Sequence, residues 1–492
     1  MSERNALPRV AILLMAVLAG PINPRPIGVV LITLDTTRAD RLSAYGLMDV
    51  SMPHLDRLAR EGVVFDQATS VAPLTLPAHC SLFTGLFPPG HGVRDNADQP
   101  LAPDHTTLAE ILQGYGFTTA AFVGSVVLNP DRGLAQGFDR YGGIAREDAA
   151  ADRRARAPGQ RRADEVMSDA TRWLDGISGS RFFLWTHLYD PHRPYDPPEP
   201  FWSRYFDPYV AEIAFADAQI GRLLEALERG QLLDRTIVIV AGDHGESLGE
   251  HGERDHGIFV YESVLRVPLI IRAPALAPRR VGTAVRLIDV MPTVLDLLDL
   301  PVPSMDGVSL LDLMRGRRRY LDLDVFAESV YPQRFGWSPL RALRDGRFKL
   351  IDAPRPELYD LERDPFEERN LFDERRALAE AMKRRLEALA GGSQPTARAT
   401  KEKVEKAVVP AGLRDDLAAL GYVAPTPMRV PPDRKGLPDP KDCIGTSQTR
   451  NVPMVPGVPK VPKVPEVPKV RMVPMVPEVP VVPRCAAGSS EP

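Results

Sequence analysis

Carboxylates and imidazoles stand at the ends of apolar runs in this sequence. Asp35 follows the run 27–34. His187, Asp190 and His192 close or follow the run 182–188, and Asp243-His244 follows the run that begins at Thr236. Runs of this kind read as buried parallel strands. Open parallel sheets bind ligands beyond the carboxyl ends of their strands. Oxygen and imidazole donors delivered from three strand ends suit a hard or borderline divalent cation. Taken singly, each residue reads equally well as a helix cap or a satisfied core group. Taken together they point to a metal centre.

A second cluster is Thr75-Leu76-Pro77-Ala78-His79-Cys80-Ser81-Leu82-Phe83-Thr84-Gly85. Proline near a first turn favours a helix starting just after Thr75. A hydroxyl there lies at the positive end of the helix dipole, beside free N–H groups, where a nucleophile can meet an anionic ester. The plain alternative is an N-cap threonine with no chemistry.

These residues need a scaffold. Runs at 118–123 and 268–271 match the strand pattern of 27–34, 182–188 and 236–240. Helical patterns fall at 54–61, 108–114, 163–174, 210–229 and 289–298. The alternation predicts an α/β fold with a doubly wound, mostly parallel sheet. After about residue 325 the pattern changes. Asp345-Gly346 between two alternating runs signals a hairpin, 357–361 reads as a further strand, and 374–389 as a closing helix. This predicts a small C-terminal antiparallel α+β subdomain. The Arg-rich stretch 146–162 has no apolar period and reads as a solvated loop, with a basic substrate rim as the alternative. Trp185, Tyr189, Tyr195 and Trp202 are candidates to line a substrate pocket, although core packing is the commoner role for each.

The 492 residues, 44% hydrophobic and 26% charged, are ample for a buried core. A net charge of −4 gives no sign of nucleic-acid binding, and three cysteines exclude a multi-bridge disulfide framework. Arg4 and Arg9 precede an apolar run at 10–20 that is short for a membrane span and suited to a signal peptide, with cleavage after Ala19. The expectation is an exported protein, periplasmic or secreted, with an uncleaved N-terminal anchor as the alternative and no multi-span membrane association. From residue 452 to 484 Val-Pro-x repeats with period three, a polyproline-II pattern that serves as a spacer, a docking ligand or nothing selected. The partition is then a leader at 1–19, a catalytic domain at 25–325 and a subdomain at 326–390. A linker with a short helix at 413–420 fills 391–424, and a Pro-rich tail fills 425–492.

Six motifs, in order, resemble the sulfatase branch of the alkaline phosphatase superfamily. They are Leu31-Ile32-Thr33-Leu34-Asp35-Thr36-Thr37-Arg38-Ala39-Asp40, the 75–85 segment, His91-Gly92-Val93-Arg94-Asp95-Asn96, Tyr189-Asp190-Pro191-His192-Arg193-Pro194-Tyr195, the 242–252 segment that opens Gly242-Asp243-His244-Gly245-Glu246, and Glu357-Leu358-Tyr359-Asp360 with the five residues after it. The resemblance spans about residues 27 to 390. It implies an alkaline-phosphatase-like fold. It implies Asp35, Asp243 and His244 as metal ligands, with Thr75 completing the shell, and Asn96, His192 and His256 at the anionic group or the leaving oxygen.

Two departures matter. Sulfatases carry Cys or Ser in a pattern Cys/Ser-x-Pro-x-Arg and convert it to formylglycine. Here Thr75 holds that position and His79, counted with the catalytic set, replaces the arginine. Threonine has a β-methyl and cannot become the aldehyde, and the register of Phe83-Thr84-Gly85 excludes Cys80 as a substitute. Thr36 stands where sulfatases often have another aspartate. A threonine nucleophile turns the expectation towards phosphate mono- or diesters and phosphonates as the anionic ester substrate, with sulfate esters and a catalytically dead anion-binding protein as alternatives. A related branch with threonine uses two zinc ions and a late histidine. No histidine follows His256 here, so one divalent ion is expected: Mg2+, Mn2+ or Ca2+, with zinc as a further option.

Overall fold

Every residue of β1 (Gly28–Leu34) is buried, so the strand needs cover on both faces. In the structure, a computed structural model that describes residues 26–144, 160–177, 179–392 and 436–444, that cover comes from helices on either side. The other strands of the main sheet are β2 (Val63–Thr69), β3 (Thr118–Val123), β4 (Arg140–Gly142), β5 (Phe182–Leu188), β6 (Thr236–Gly242), β7 (Arg266–Val267), β8 (Leu269–Arg272) and β9 (Arg279–Arg286). Their order is β4-β3-β5-β1-β6-β8-β2-β7, with β9 paired to β2. The run β4 to β6 is parallel. On one face Val29 and Leu31 pack with α2 (Thr75–Thr84) and α6 (Val290–Leu297). On the other Val30 and Ile32 pack with α1 (Pro53–Glu61), α4 (Ala163–Asp175) and α5 (Pro208–Arg229). Between them in sequence lies α3 (Leu108–Gly114), closed by a capping box of Thr107 and Glu110.

Register explains why the site residues meet. Leu34 at the end of β1 is level with Leu188 of β5 and Gly242 of β6. The chain therefore leaves three adjacent strands at one height, and Asp35 and Asp243 emerge side by side. Backbone bonds fix the exit: Asp35 donates to the Leu188 carbonyl (3.0 Å) and Asp243 to that of Leu34 (3.2 Å).

Two expectations need correction. The run 268–271 is a strand, but β8 is antiparallel to both β6 and β2. A short apolar run reports burial and carries no direction. Strands β2 and β9 were not anticipated. β2, paired on both sides, interrupts its apolar residues with Asp66 and Gln67, and β9 opens on two exposed arginines, the charged pattern of an edge.

A second, antiparallel sheet follows: β10 (Val325–Ser329), β11 (Leu340–Arg344), β12 (Phe348–Asp352) and β13 (Glu357–Asp360). The β11–β12 turn is the expected hairpin, and Gly346 takes a left-handed φ of 94° that suits glycine. Helix α7 (Arg376–Gly392) packs on this sheet through Ala379, Met382 and Leu386. Residues 436–444, read from sequence as part of the tail, dock here as well. Ser338 donates to the Pro438 carbonyl (2.9 Å) and the Arg355 amide to Asp439 Oδ2 (3.1 Å). The leader at 1–19, residues 146–159 of the Arg-rich stretch, the helix at 413–420 and the Val-Pro repeats lie outside the described residues. Among the described residues no helix is long and apolar enough to cross a membrane.

Candidate active site

Helix α2 begins at Thr75 itself, with Leu74 in extended conformation before it, and all ten of its residues are buried. This sets the Thr75 hydroxyl over the strand ends. Its Oγ1 lies 3.5 Å from Asp35 Oδ1 and 3.3 Å from His244 Nε2. His244 Nε2 is 3.6 Å from Asp35 Oδ1 and 3.7 Å from Asp243 Oδ2. One ligand atom from each of Asp35, Asp243 and His244 falls within 4.8 Å of the others. The four residues expected at the metal are thus brought together.

The donor set fits a cation. The Thr36 amide (3.2 Å) and the His244 amide (2.7 Å) both donate to Asp243 Oδ1, so Asp243 Oδ2 is left buried without a hydrogen-bond partner. Asp35 Oδ2 is likewise unpartnered, 3.3 Å from His187 Nε2 but not aligned for a hydrogen bond. Proton counting gives the reason, with tautomers assigned from the network. The Thr75 carbonyl only accepts, so His79 Nδ1, 2.7 Å away, carries the proton and His79 Nε2 accepts from Thr33 Oγ1 (3.0 Å). Thr33 Oγ1 then has two lone pairs, which take the Trp185 Nε1–H (3.0 Å) and the His187 Nδ1–H (3.3 Å). His187 Nε2 is left with a lone pair facing a carboxylate. Buried acceptors without donors are costly alone and are what a divalent ion requires. Burial, and after it the neighbouring Asp35, pushes Asp243 well above the usual carboxylate range. Burial opposes ionisation of Asp35 too, but the nearby imidazoles of His192 and His244 help to hold it below that range.

The anion side of the site differs from expectation. Pro77 has no N–H, and the Leu76 N–H is taken by Asn96 Oδ1 (2.8 Å). With those two positions withdrawn, Asn96 Nδ2 stands buried and unpartnered beside the nucleophile. Arg132 anchors that loop through the Asn96 carbonyl (3.0 Å), and Arg334 holds Asp95 through two bonds. His192 Nδ1 lies 2.6 Å from both the Arg193 carbonyl and the Tyr189 hydroxyl. The His256 ring lies between those of His244 and His192, at centroid distances of 4.5 and 5.1 Å.

His79 is placed differently from the others. Both of its ring nitrogens bond within the protein, and burial pushes it down to about 3. This geometry does not fit the expectation that it acts on substrate: both nitrogens are turned into the protein beneath Thr75. Cys80 packs in the core with its thiol pushed up by burial. Trp185 is core, Tyr189 stacks on His192, and Trp202 is exposed. Asp190 receives the Ala163 amide at the start of α4 (2.8 Å), the capping role that its sequence position also allowed. Sequence reading missed Thr33 and Glu246, and it named His187 among the strand-end candidates without giving it a role. The period-two pattern of β1 and β5 puts Thr33 and His187 on the face of Asp35, a signal that was available.

The Sulfatase family model matches residues 28–300, and one for N-sulphoglucosamine sulphohydrolase, C-terminal, matches 249–391. A choline-sulfatase of Rhizobium meliloti (strain 1021) is 27% identical over 406 residues, 65% of this chain and 77% of that protein. An ulvan-active sulfatase of Formosa agariphila is 25% identical over 402 residues, 71% of this chain and 78% of that protein. Among solved structures, a phosphonate monoester hydrolase of Agrobacterium radiobacter aligns with a TM-score of 0.64 at 24% identity, covering 75% of this chain and 96% of that one. With the parallel sheet, the strand-end carboxylates and the motif order already in place, these likenesses assign the chain to the sulfatase family of the alkaline phosphatase superfamily, hydrolases of sulfuric and phosphoric esters.

Proposed function

We propose that this protein hydrolyses phosphate or phosphonate esters with Thr75 as nucleophile. The observation that carries the reading is the Thr75 hydroxyl, 3.3 Å from His244 Nε2 and 3.5 Å from Asp35 Oδ1, at a position where the family places its nucleophile. Asp35, Thr75, Asp243 and His244 would hold one divalent ion, Mg2+, Mn2+, Ca2+ or Zn2+. When bound, such an ion supplies positive charge that lowers the pKa of the Thr75 hydroxyl and offsets that of the anionic ester.

The chain's own groups do the rest. Thr75 Oγ1 attacks phosphorus, its proton lost to solvent. The bond to the leaving oxygen breaks, and that oxygen takes a proton from His256 Nε2. Asn96 Nδ2 and His192 face the growing charge on the remaining oxygens. The intermediate is a threonyl ester. A formylglycine hydrate can expel its anion by collapsing to the aldehyde, but the threonyl carbon cannot. Water must therefore attack phosphorus, giving its proton to His256 as the P–Oγ1 bond breaks and the electron pair returns to Thr75.

A sulfate ester is the second reading, favoured by the likeness to a choline-sulfatase at 27% identity. The test is hydrolysis of 4-nitrophenyl sulfate, 4-nitrophenyl phosphate, bis(4-nitrophenyl) phosphate and 4-nitrophenyl phenylphosphonate with each ion, beside Thr75→Ala. Turnover of a phosphorus ester lost in the variant is the expected outcome. Preference for the sulfate would select the second reading. Intact folding and ion binding without turnover of any ester would reject both in favour of an anion-binding protein. Export, suggested by the apolar segment 10–20 behind Arg4 and Arg9, is proposed on the same footing. Cell fractionation with an antibody tests it, and retention in the cytoplasm would reject it.

A further inference from the structure

A fully buried carboxylate lies behind His256 with no role in the mechanism above. Glu246 has no exposed side-chain surface, and its Oε1 is 3.2 Å from His256 Nδ1. Its other oxygen, Oε2, accepts from the Tyr195 hydroxyl (3.1 Å). Tyr195 in turn packs edge-on against Tyr209, whose hydroxyl donates to the Thr36 carbonyl (2.6 Å) next to Asp35. Asp255 also reaches His256 Nδ1 (3.0 Å), but its side chain is 59% exposed. The backbone beside the ring is held too, since Ser329 Oγ donates to the Gly257 carbonyl.

A carboxylate oxygen at Nδ1 can only accept, so that nitrogen carries a proton in either charge state of the ring. The exchangeable nitrogen is then Nε2, on the ring edge away from the two carboxylates. Without Glu246 only the exposed Asp255 faces Nδ1, so the neutral ring can put its proton on the wrong nitrogen, and the imidazolium loses its buried counter-charge. Although Asp255 is slightly closer, its exposure makes it the weaker partner, because water competes for its oxygens.

We propose that Glu246, held by Tyr195, is a positioning residue that fixes the tautomer and orientation of His256 so that Nε2 serves the leaving oxygen. The kinetic consequence rests on the reading of His256 as the leaving-group acid, whereas the orientation of the ring does not. In the first step Nε2–H passes its proton to the departing oxygen as the bond to phosphorus breaks. In the second the same nitrogen takes a proton from the attacking water. Nδ1–H remains in place throughout.

The test has two arms, each on the full chain loaded with Mg2+ or Zn2+. The first is proton NMR of 15N-histidine-labelled protein. A low-field Nδ1–H signal, assigned by its loss in His256→Gln, is expected in the wild type, shifted in Glu246→Gln and absent in Glu246→Leu. Its persistence unchanged in Glu246→Leu would overturn the proposal whatever the activity. The second compares 4-nitrophenyl and phenyl phosphate, whose leaving groups differ in their need for a proton. Glu246→Leu should lower kcat on the phenyl ester by about 100-fold, with KM little changed and a far smaller effect on the nitrophenyl ester. Glu246→Gln, which keeps an acceptor and loses the charge, should fall between, and Asp255→Asn should act weakly. In a His256→Gln background Glu246→Leu should add almost nothing. Equal losses on both esters, or additive losses in the double variant, would mark Glu246 as merely structural. An NMR signal that behaves as expected in a protein without turnover would reject the hydrolase reading and leave the positioning of His256 standing.

Discussion

At the scale of single residues, the polar interior beneath the nucleophile turns on Thr33. Its one hydroxyl receives the Trp185 and His187 N–H groups and donates to His79, all three of them fully buried. Valine has nearly the same shape and none of these bonds. Thr33→Val should lower unfolding free energy by about 3 kcal/mol, since buried polar groups are left without partners. A fall in the urea midpoint at unchanged slope is the measurement, and a shift of a few tenths of a kcal/mol would mean that the network is not a hub. The same variant should weaken divalent-ion binding, because His187 loses the acceptor that keeps its Nε2 bare towards Asp35. Asp35, Thr75, Asp243 and His244 are legible from sequence because each sits at the end of a run or the start of a helix. The face of Thr33 is legible too, from period two, but its partners are not, because register brings them from more than a hundred residues away; the place of Glu246 is hidden because the path of a ten-residue loop decides it.

At the scale of elements, the N-terminus of α1 is capped from outside. Met52 at its N-cap makes no side-chain bond. Asp217 of α5 instead accepts from the Leu55 amide (2.7 Å) and the His54 amide (3.4 Å). Burial pushes the Asp217 carboxyl up to about 7 from its usual 3.8. The folded state therefore holds this proton more tightly than the unfolded chain, so this group's contribution to stability is present at low pH and is lost as pH rises through that window. Asp217→Asn keeps an acceptor for the amides and removes the titration. Relative to wild type it should gain stability between pH 4.5 and 7.5, by about 3 kcal/mol if the whole shift is realised. Urea unfolding of both proteins at the two pH values measures it, because every other group cancels in the difference. A difference that does not change with pH would show that the helix N-terminus keeps the carboxylate ionised throughout. The elements themselves were largely readable where one periodicity dominated: 118–123 and 182–188 are strands to the residue, and 108–114 is α3. β2 was hidden because Asp66 and Gln67 break its apolar run, β9 because the charged start of an edge strand imitates a loop, and the direction of β8 because burial does not encode it.

At the scale of the whole molecule, the small sheet is joined to the catalytic domain by a buried charge cluster. Lys349 on β12, 1% exposed, sits 3.0 Å from Glu262 and 2.9 Å from Glu367. Arg344 on β11 reaches Glu262 as well (3.0 Å). Glu262 lies in the turn that runs from the His256 loop into β7, so the cluster ties the small sheet to a segment of the site. Arg334 on Asp95 and Arg94 on Glu328 make a second tie, to the loop that carries Asn96. Removing one partner of a buried pair leaves the others uncompensated, and Lys349→Met should destabilise by about 3–5 kcal/mol. Neutralising the orphan should recover much of that loss, so Lys349→Met combined with Glu367→Gln should be more stable than Lys349→Met alone. The two sheets share this cluster, so the fall should appear in one cooperative transition of the main domain. An early, separate melting of the small sheet, with divalent-ion binding intact, would show instead that the second sheet is an appendage and that the His256 loop stands without it.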